Sequence, residues 1–145
     1  MEGMSKIVKT ATGLLCGVVF MYGLYIITHG HLTPGGGFAG GVLVAGSFIL
    51  LILAYGSDVL MLRKEETESS VTESSAILIV LILAVIGMFA GGAAFMNNYF
   101  QFGEVGELIS AGVIPLYNIF IGMEVASALL TIFLAFVIYK KEVLK

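Results

Sequence analysis

The sequence has no tryptophan, one cysteine, two prolines and two histidines, and it carries little charge of either sign. The lone cysteine, Cys16, excludes an intrachain disulfide and any cysteine-based metal motif; set in an apolar run, it reads as a small hydrophobe. The only histidines, His29 and His31, bracket Gly30 and cannot project haem ligands from facing helices, so no metal or bound cofactor is expected. Charged residues make up 12% of the chain, where a soluble domain has about 25%. Hydrophobic residues make up 59%, with a mean hydropathy of +1.05, which excludes a soluble globule. The net charge of −3 offers no basic patch for nucleic acid.

In place of charge there are long apolar runs. A helix crossing a hydrocarbon core of about 30 Å needs roughly 20 predominantly apolar residues, and the segments 7–28, 38–57, 76–96 and 114–139 meet that length. Lipid cannot satisfy backbone groups, so each run is expected to be α-helical. The expectation is an all-α integral membrane four-helix bundle forming a single membrane domain over 1–145. Lys6 and Lys9 ahead of the first run imitate a signal peptide. The uncharged stretch that follows is too long for an h-region and has no A-x-A-like cleavage site, so it reads as a retained span. All seven basic residues, Lys6, Lys9, Arg63, Lys64, Lys140, Lys141 and Lys145, fall on one side of this arrangement, which predicts N-in and C-in.

The acidic, Ser/Thr-rich run 63–75 is too polar to bury a core and is expected to be a solvated cytoplasmic connector, with Asp58 close in sequence to Arg63 and Lys64. On the other side, 97–113 mixes Phe100, Phe102, Leu108 and Ile109 with Glu104 and Glu107, which suits an interfacial or partner-covered element. Small residues four apart let helices approach in lipid. Such ridges occur at Gly13 and Gly17, at Gly37, Gly41 and Ala45, at Gly87 and Gly91, and at Gly122 and Ala126. No broken-helix repeats of a self-contained transporter are visible, so a subunit of something larger is expected.

The most distinctive stretch is His29-Gly-His-Leu-Thr-Pro-Gly-Gly-Gly-Phe-Ala-Gly-Gly41. Gly35 to Gly40 fits G-x-G-x-x-G as a pattern, but a membrane helix precedes it where a nucleotide fold needs a strand. Pro34 cannot continue a helix, while Gly35, Gly36 and Gly37 permit a tight reversal and close backbone approach before Phe38, Gly40 and Gly41 enter the second span. The amides opening that span could hold an anion or an anionic side chain.

This stretch resembles the H-x-x-PGGGF-x-GG-like signature of the MnhB family, the B component of Mrp-type multisubunit Na+/H+ antiporters. Leu108-Ile-Ser-Ala-Gly-Val-Ile-Pro-Leu-Tyr-Asn-Ile-Phe-Ile-Gly122 is similar to that family's segment before the last helix. The resemblance covers nearly the whole chain. It implies an accessory subunit in a prokaryotic cell membrane, without catalytic residues of its own, partnered by other membrane subunits of an assembly that exchanges Na+ and H+. Related subunits occur in the membrane arms of energy-converting hydrogenases and sulfur-reducing complexes, so the alternative is an Mrp-like ion-translocating subunit of a redox complex.

Only one carboxylate falls well within a span. Glu124 lies about 22 Å from Tyr139, in the outer third of the core. It reads either as part of an ion or proton path, or as a structural group paired with a neighbour or satisfied by hydroxyls such as Ser127 or Thr131. His29 and His31 could shuttle protons or could cap and pack the end of the first helix. The sequence reading thus names Glu124, His29 and His31 as ion-path candidates, Pro34 to Phe38 with Gly40 and Gly41 as the motif loop, and Gly87, Gly91 and Gly122 as packing positions. Cysteine-accessibility labelling should find the 29–37 loop open to the outer medium and the 63–75 segment not; the reverse pattern would overturn the N-in, C-in orientation.

Overall fold

The computed structural model describes residues 4–56, 62–90, 94–104, 106–108 and 110–143. Among these residues there are four helices and no strand: α1 (Lys6–Thr28), α2 (Gly36–Tyr55), α3 (Leu62–Ala90) and α4 (Ile114–Val143). Each is long and apolar enough to cross a membrane. Local chemistry sets several ends. The Ser5 hydroxyl accepts the Val8 N–H at 3.4 Å and opens α1. Pro115 stands in the first turn of α4, where a missing N–H costs no helical bond. Asn98 accepts the Val113 N–H at 3.0 Å just ahead of that turn.

Among the described residues the helices pack mainly in the order α1, α2, α4, α3, with a lesser contact between α1 and α4, so the arrangement is open and α3 is held by α4 alone among the helices. Helices α1 and α2 run antiparallel: Met4 N–H bonds to Ala54 O at 2.9 Å near one end, and Gly23 faces Gly40 towards the other. Helix α4 runs parallel to α2, with Gly37 at Asn118, Gly41 at Gly122 and Ile52 with Leu134. Helix α3 returns antiparallel to α4. The start of α1 and the end of α4 therefore lie at one end of the bundle, and the 29–35 loop lies at the other.

Contacts between glycines bring the middle helices together. A Cβ on Gly40 would come within 2.7 Å of Gly23 O, one on Gly41 within 2.6 Å of Gly122 O, and one on Gly37 would collide with the Asn118 carbonyl. Gly37, Gly41 and Gly122 belong to the expected ridges, while Gly40 and Gly23 add a contact outside them. The ridge expected on α1 is displaced: Gly17 has nothing within 4 Å, Gly13 makes only an ordinary contact with the Tyr55 hydroxyl at 3.7 Å, and Gly23 makes the close approach. Gly87 meets the backbone of Asn97, in the following loop, rather than another helix. Gly91, Asp58 and Ile109 lie outside the described residues.

The third helix differs most from expectation. The acidic run expected as a solvated connector forms the first half of α3. Its hydroxyls turn back onto their own helix, Thr72 to Glu68 O at 2.8 Å, Ser74 to Ser70 O at 3.0 Å and Ser75 to Thr72 O at 2.9 Å, and Lys64 pairs with Glu68 at 3.5 Å across one turn. Satisfied in this way, polar residues remain compatible with helix. At its far end α3 is described to Ala90, and the expected span end at Met96 lies instead in a turn, where the chain has folded back so that Met96 N–H reaches Ala84 O at 3.3 Å.

Adding side chains at the crossing should therefore be costly and adding one at Gly17 should not. Gly37→Val and Gly41→Val are expected to destabilise the detergent-solubilised chain by about 1–3 kcal/mol through overpacking, while Gly17→Ala and His29→Gln stay near wild type. Thermal unfolding followed by size-exclusion monodispersity checks this; equal tolerance of all four changes would contradict the crossing.

Candidate functional site

At the loop end of the bundle, His29 closes α1. Its carbonyl accepts Leu32 N–H at 2.8 Å and Thr33 N–H at 2.9 Å, its Nδ1 lies 3.0 Å from Tyr25 O, and its ring stacks on Tyr25 at 4.1 Å between centroids. This is the capping geometry, one of the two readings the sequence left open. His31 turns the other way, with Nε2 3.4 Å from Glu107 O in the long loop, and its Nδ1 is buried without a partner among the described residues. Pro34 is exposed, and the reversal itself is made by Gly35 at φ +127° and Gly36 at φ +64°, in the region that disfavours a side chain. Gly37 is not of that kind. It is required by the close approach of α4.

The opening amides of α2 are met from within the chain. Gly37 N–H donates to Asn118 Oδ1 at 3.3 Å, and the same side chain fills the niche beside Gly30 and Gly36. The expected anion is thus replaced at this amide by a neutral carboxamide carried on α4. Asn118 ties the motif loop to the last helix, and its Nδ2 is buried without a partner among the described residues.

A second polar region lies at mid-depth. The Ser69 hydroxyl donates to Ser127 O at 2.9 Å and is buried. Ser127 lies halfway along the apolar run of α4, about 20 Å from Ile114, so the polar half of α3 stands beside the middle of a span. Between α2 and α3, over a floor of Ser127 and Leu130, opens a cleft of about 370 Å³. Glu65, Glu68, Ser69 and Thr72 form one wall, and Phe48, Leu51 and Ile52 form the other. A charged side chain at mid-span costs about 2.5–3.5 kcal/mol on insertion scales, so carboxylates at this height belong against protein or water.

Glu124 precedes Ser127 by one turn and does not line that cleft; it is half-buried and makes no ion pair among the described residues. It stands about 9 Å along α4 from Asn118, so it is not brought together with the histidines. Among the described residues no group of three or more His, Cys, Asp or Glu is arranged to hold a metal.

Residues 7–131 match the family described as a domain related to the MnhB subunit of Na+/H+ antiporters. The B component of the Na+/H+ antiporter of Bacillus subtilis is 33% identical over 124 residues, covering 81% of this chain and 85% of that protein. The chain belongs to the MnhB-related family. An uncharacterized protein of Methanocaldococcus jannaschii is 38% identical over 78% of this chain, which spans 45% of that relative's length. Among solved structures, a chain of the membrane-bound sulfane sulfur reductase, an archaeal respiratory membrane complex, superimposes with a TM-score of 0.73 at 32% identity. It covers 94% of this chain, which spans 61% of it. The family match takes in the motif loop, Asn118, the polar half of α3 and Glu124.

Sequence reasoning missed Asn118, Ser69, Thr72 and the cleft carboxylates of this MnhB-related chain. A usable signal was present: the small residues Ser69, Ala76, Ala84 and Gly87 recur on one helical face from the polar run into the apolar one, with larger residues between Ala76 and Ala84. Asn118→Leu should lower the thermal stability of the solubilised chain by about 1–3 kcal/mol, because Gly37 N–H loses its acceptor. Asn118→Asp, which keeps the acceptor, should cost less, and Glu124→Gln should leave the unfolding temperature unchanged; identical temperatures for all three variants would remove Asn118 from this role.

Proposed function

We propose that this MnhB-related chain is an accessory integral membrane subunit of a multisubunit monovalent cation/proton antiporter, without catalytic residues of its own, oriented with both termini in the cytoplasm. The observation that carries the reading is the match to the Bacillus subtilis antiporter component over most of both chains. The open packing order supports it, since a helix row with α3 held on one side has surfaces to offer neighbours. Na+ and H+ are the ions moved by the assembly, and Glu124 contributes to their route from α4. A second reading places the chain in the membrane arm of a redox complex. It is favoured by the 0.73 superposition on a chain of a respiratory membrane complex.

Four helices without a transporter repeat, and with Glu124 apart from the carboxylates of α3, do not make a self-sufficient exchanger. The purified chain in liposomes should show no Na+/H+ exchange, while the assembly that copurifies with it in mild detergent should. Glu124→Gln preserves shape and removes titration, so it should leave subunit composition intact and lower the exchange rate several-fold. Antiporter-type partners favour the first reading and electron-transfer partners the second; wild-type exchange across the pH range by the Glu124→Gln assembly would make Glu124 structural.

A further inference from the structure

At the loop end of the bundle three buried polar atoms have no partner among the described residues: His31 Nδ1, Tyr117 Oη and Asn118 Nδ2. Buried polar side-chain atoms are nearly always hydrogen-bonded, to protein or to ordered water, so each of these calls for a partner. The bond made at the other end of two of the side chains fixes what the orphaned atom offers. Asn118 Oδ1 accepts the Gly37 N–H at 3.3 Å, so Nδ2 is the amide nitrogen and a donor. His31 Nε2 lies 3.4 Å from the Glu107 carbonyl oxygen, which only accepts, so Nε2 carries the proton and Nδ1 of the neutral ring is an acceptor. Gly30 joins the two places. A Cβ on it would lie 2.8 Å from Asn118 Nδ2, which puts the Cα of the next residue, His31, within about 8 Å of that nitrogen. Tyr117 leaves α4 about 100° round from Asn118 and is not counted in the site.

A donor at one end and an acceptor at the other select what lies between them. The Nδ2 hydrogens repel a cation and the Nδ1 lone pair repels an anion, whereas water accepts from the first and donates to the second. We propose that the loop end holds a buried water site, of one or two molecules, that runs from Asn118 Nδ2 to His31 Nδ1. It ties three segments together: α4 through Asn118, the motif loop through His31, and the long loop through the opposite edge of the same ring, at Glu107 O. A carboxamide does not give up a proton at ordinary pH, so the water fastens the outer loop to the bundle and carries no proton from Asn118 to His31. The proposal goes beyond the accessory-subunit reading and stands whichever assembly holds the chain.

The test is a cryo-electron microscopy map of the copurified assembly at a resolution that shows ordered water. A peak at hydrogen-bond distance from Asn118 Nδ2, connected directly or through one further peak to His31 Nδ1, is expected. Two variants then separate the edges of the ring. His31→Asn sets an amide at the place of Nδ1 and should keep the connection, while His31→Gln reaches the place of Nε2, keeps the tie to Glu107 O and should lose the peak nearest residue 31. Direct contact between the two wild-type side chains, a protein atom between them, an ion at coordination distance or no peak at all would overturn the proposal, as would an unbroken connection in His31→Gln. Where a variant does not assemble, the wild-type map decides alone. Electron-transfer partners in that map would remove the accessory-antiporter reading and leave the water site standing.

Discussion

The structure depends on the crossing where α2 meets α1 on one side and α4 on the other through glycine backbones. In lipid, burial of apolar side chains provides no net drive for helices to associate, so packing contacts and polar ties must do it. At Gly40 against Gly23 and at Gly41 against Gly122 the absence of side chains lets main chains approach closely over about two turns. The tight reversal at Gly35 and Gly36 follows from this. Helix α1 ends at His29 and α2 begins at Gly36, and the few residues between must turn the chain without pushing the helices apart. Asn118 fits into the same geometry, reaching from α4 to an amide that the turn leaves unpaired.

From that crossing the polarity of α3 acquires its meaning. Parallel α2 and α4 fix the height of each residue, and the Ser69 to Ser127 bond places α3 against that scale. A helix whose first half carries Glu65, Glu66, Glu68 and Glu73 would be ordinary if that half projected into water. Set beside the middle of α4, it becomes a demand for company, because hydroxyls can turn back to their own carbonyls and carboxylates cannot. The same residues that keep α3 helical leave its charge to be met from outside.

How much of this could be read from the residues follows from the same physics. Apolar runs report span number and approximate position, since crossing length is a one-dimensional requirement, and α1, α2 and α4 lie close to the runs that announced them. The Pro/Gly punctuation at 34–37 reports a reversal because proline and glycine act locally. Register between helices is not local. Nothing in the 63–75 run says whether it faces water or a neighbouring helix; only the Ser69 to Ser127 contact decides, and it joins residues 58 positions apart. Gly17 shows the opposite failure, a correct local pattern with no partner inside the chain. For Glu124 the sequence yielded its isolation within a span, and the structure adds that the cleft carboxylates stand apart from it.

A closed four-helix bundle hides its polar groups in a common centre, and each helix then has two neighbours to satisfy it. In the order α1, α2, α4, α3, among the described residues, α1 packs on α2 and touches α4 at Ile27 and Gly122, while α3 packs on α4 alone, and the end helices differ in what they leave uncovered. Helix α1 exposes Ile7, Leu14, Val18 and Met21, a surface that lipid or an apolar helix covers at no electrostatic cost. Helix α3 exposes Thr67, Ser70 and Ser74 beside carboxylates, a surface that lipid covers badly. The chain is therefore directional across the membrane plane, tolerant of bilayer on its α1 edge and dependent on protein or water on its α3 edge. That asymmetry comes from the four carboxylates of α3 and not from the glycine crossing that holds α1, α2 and α4 together.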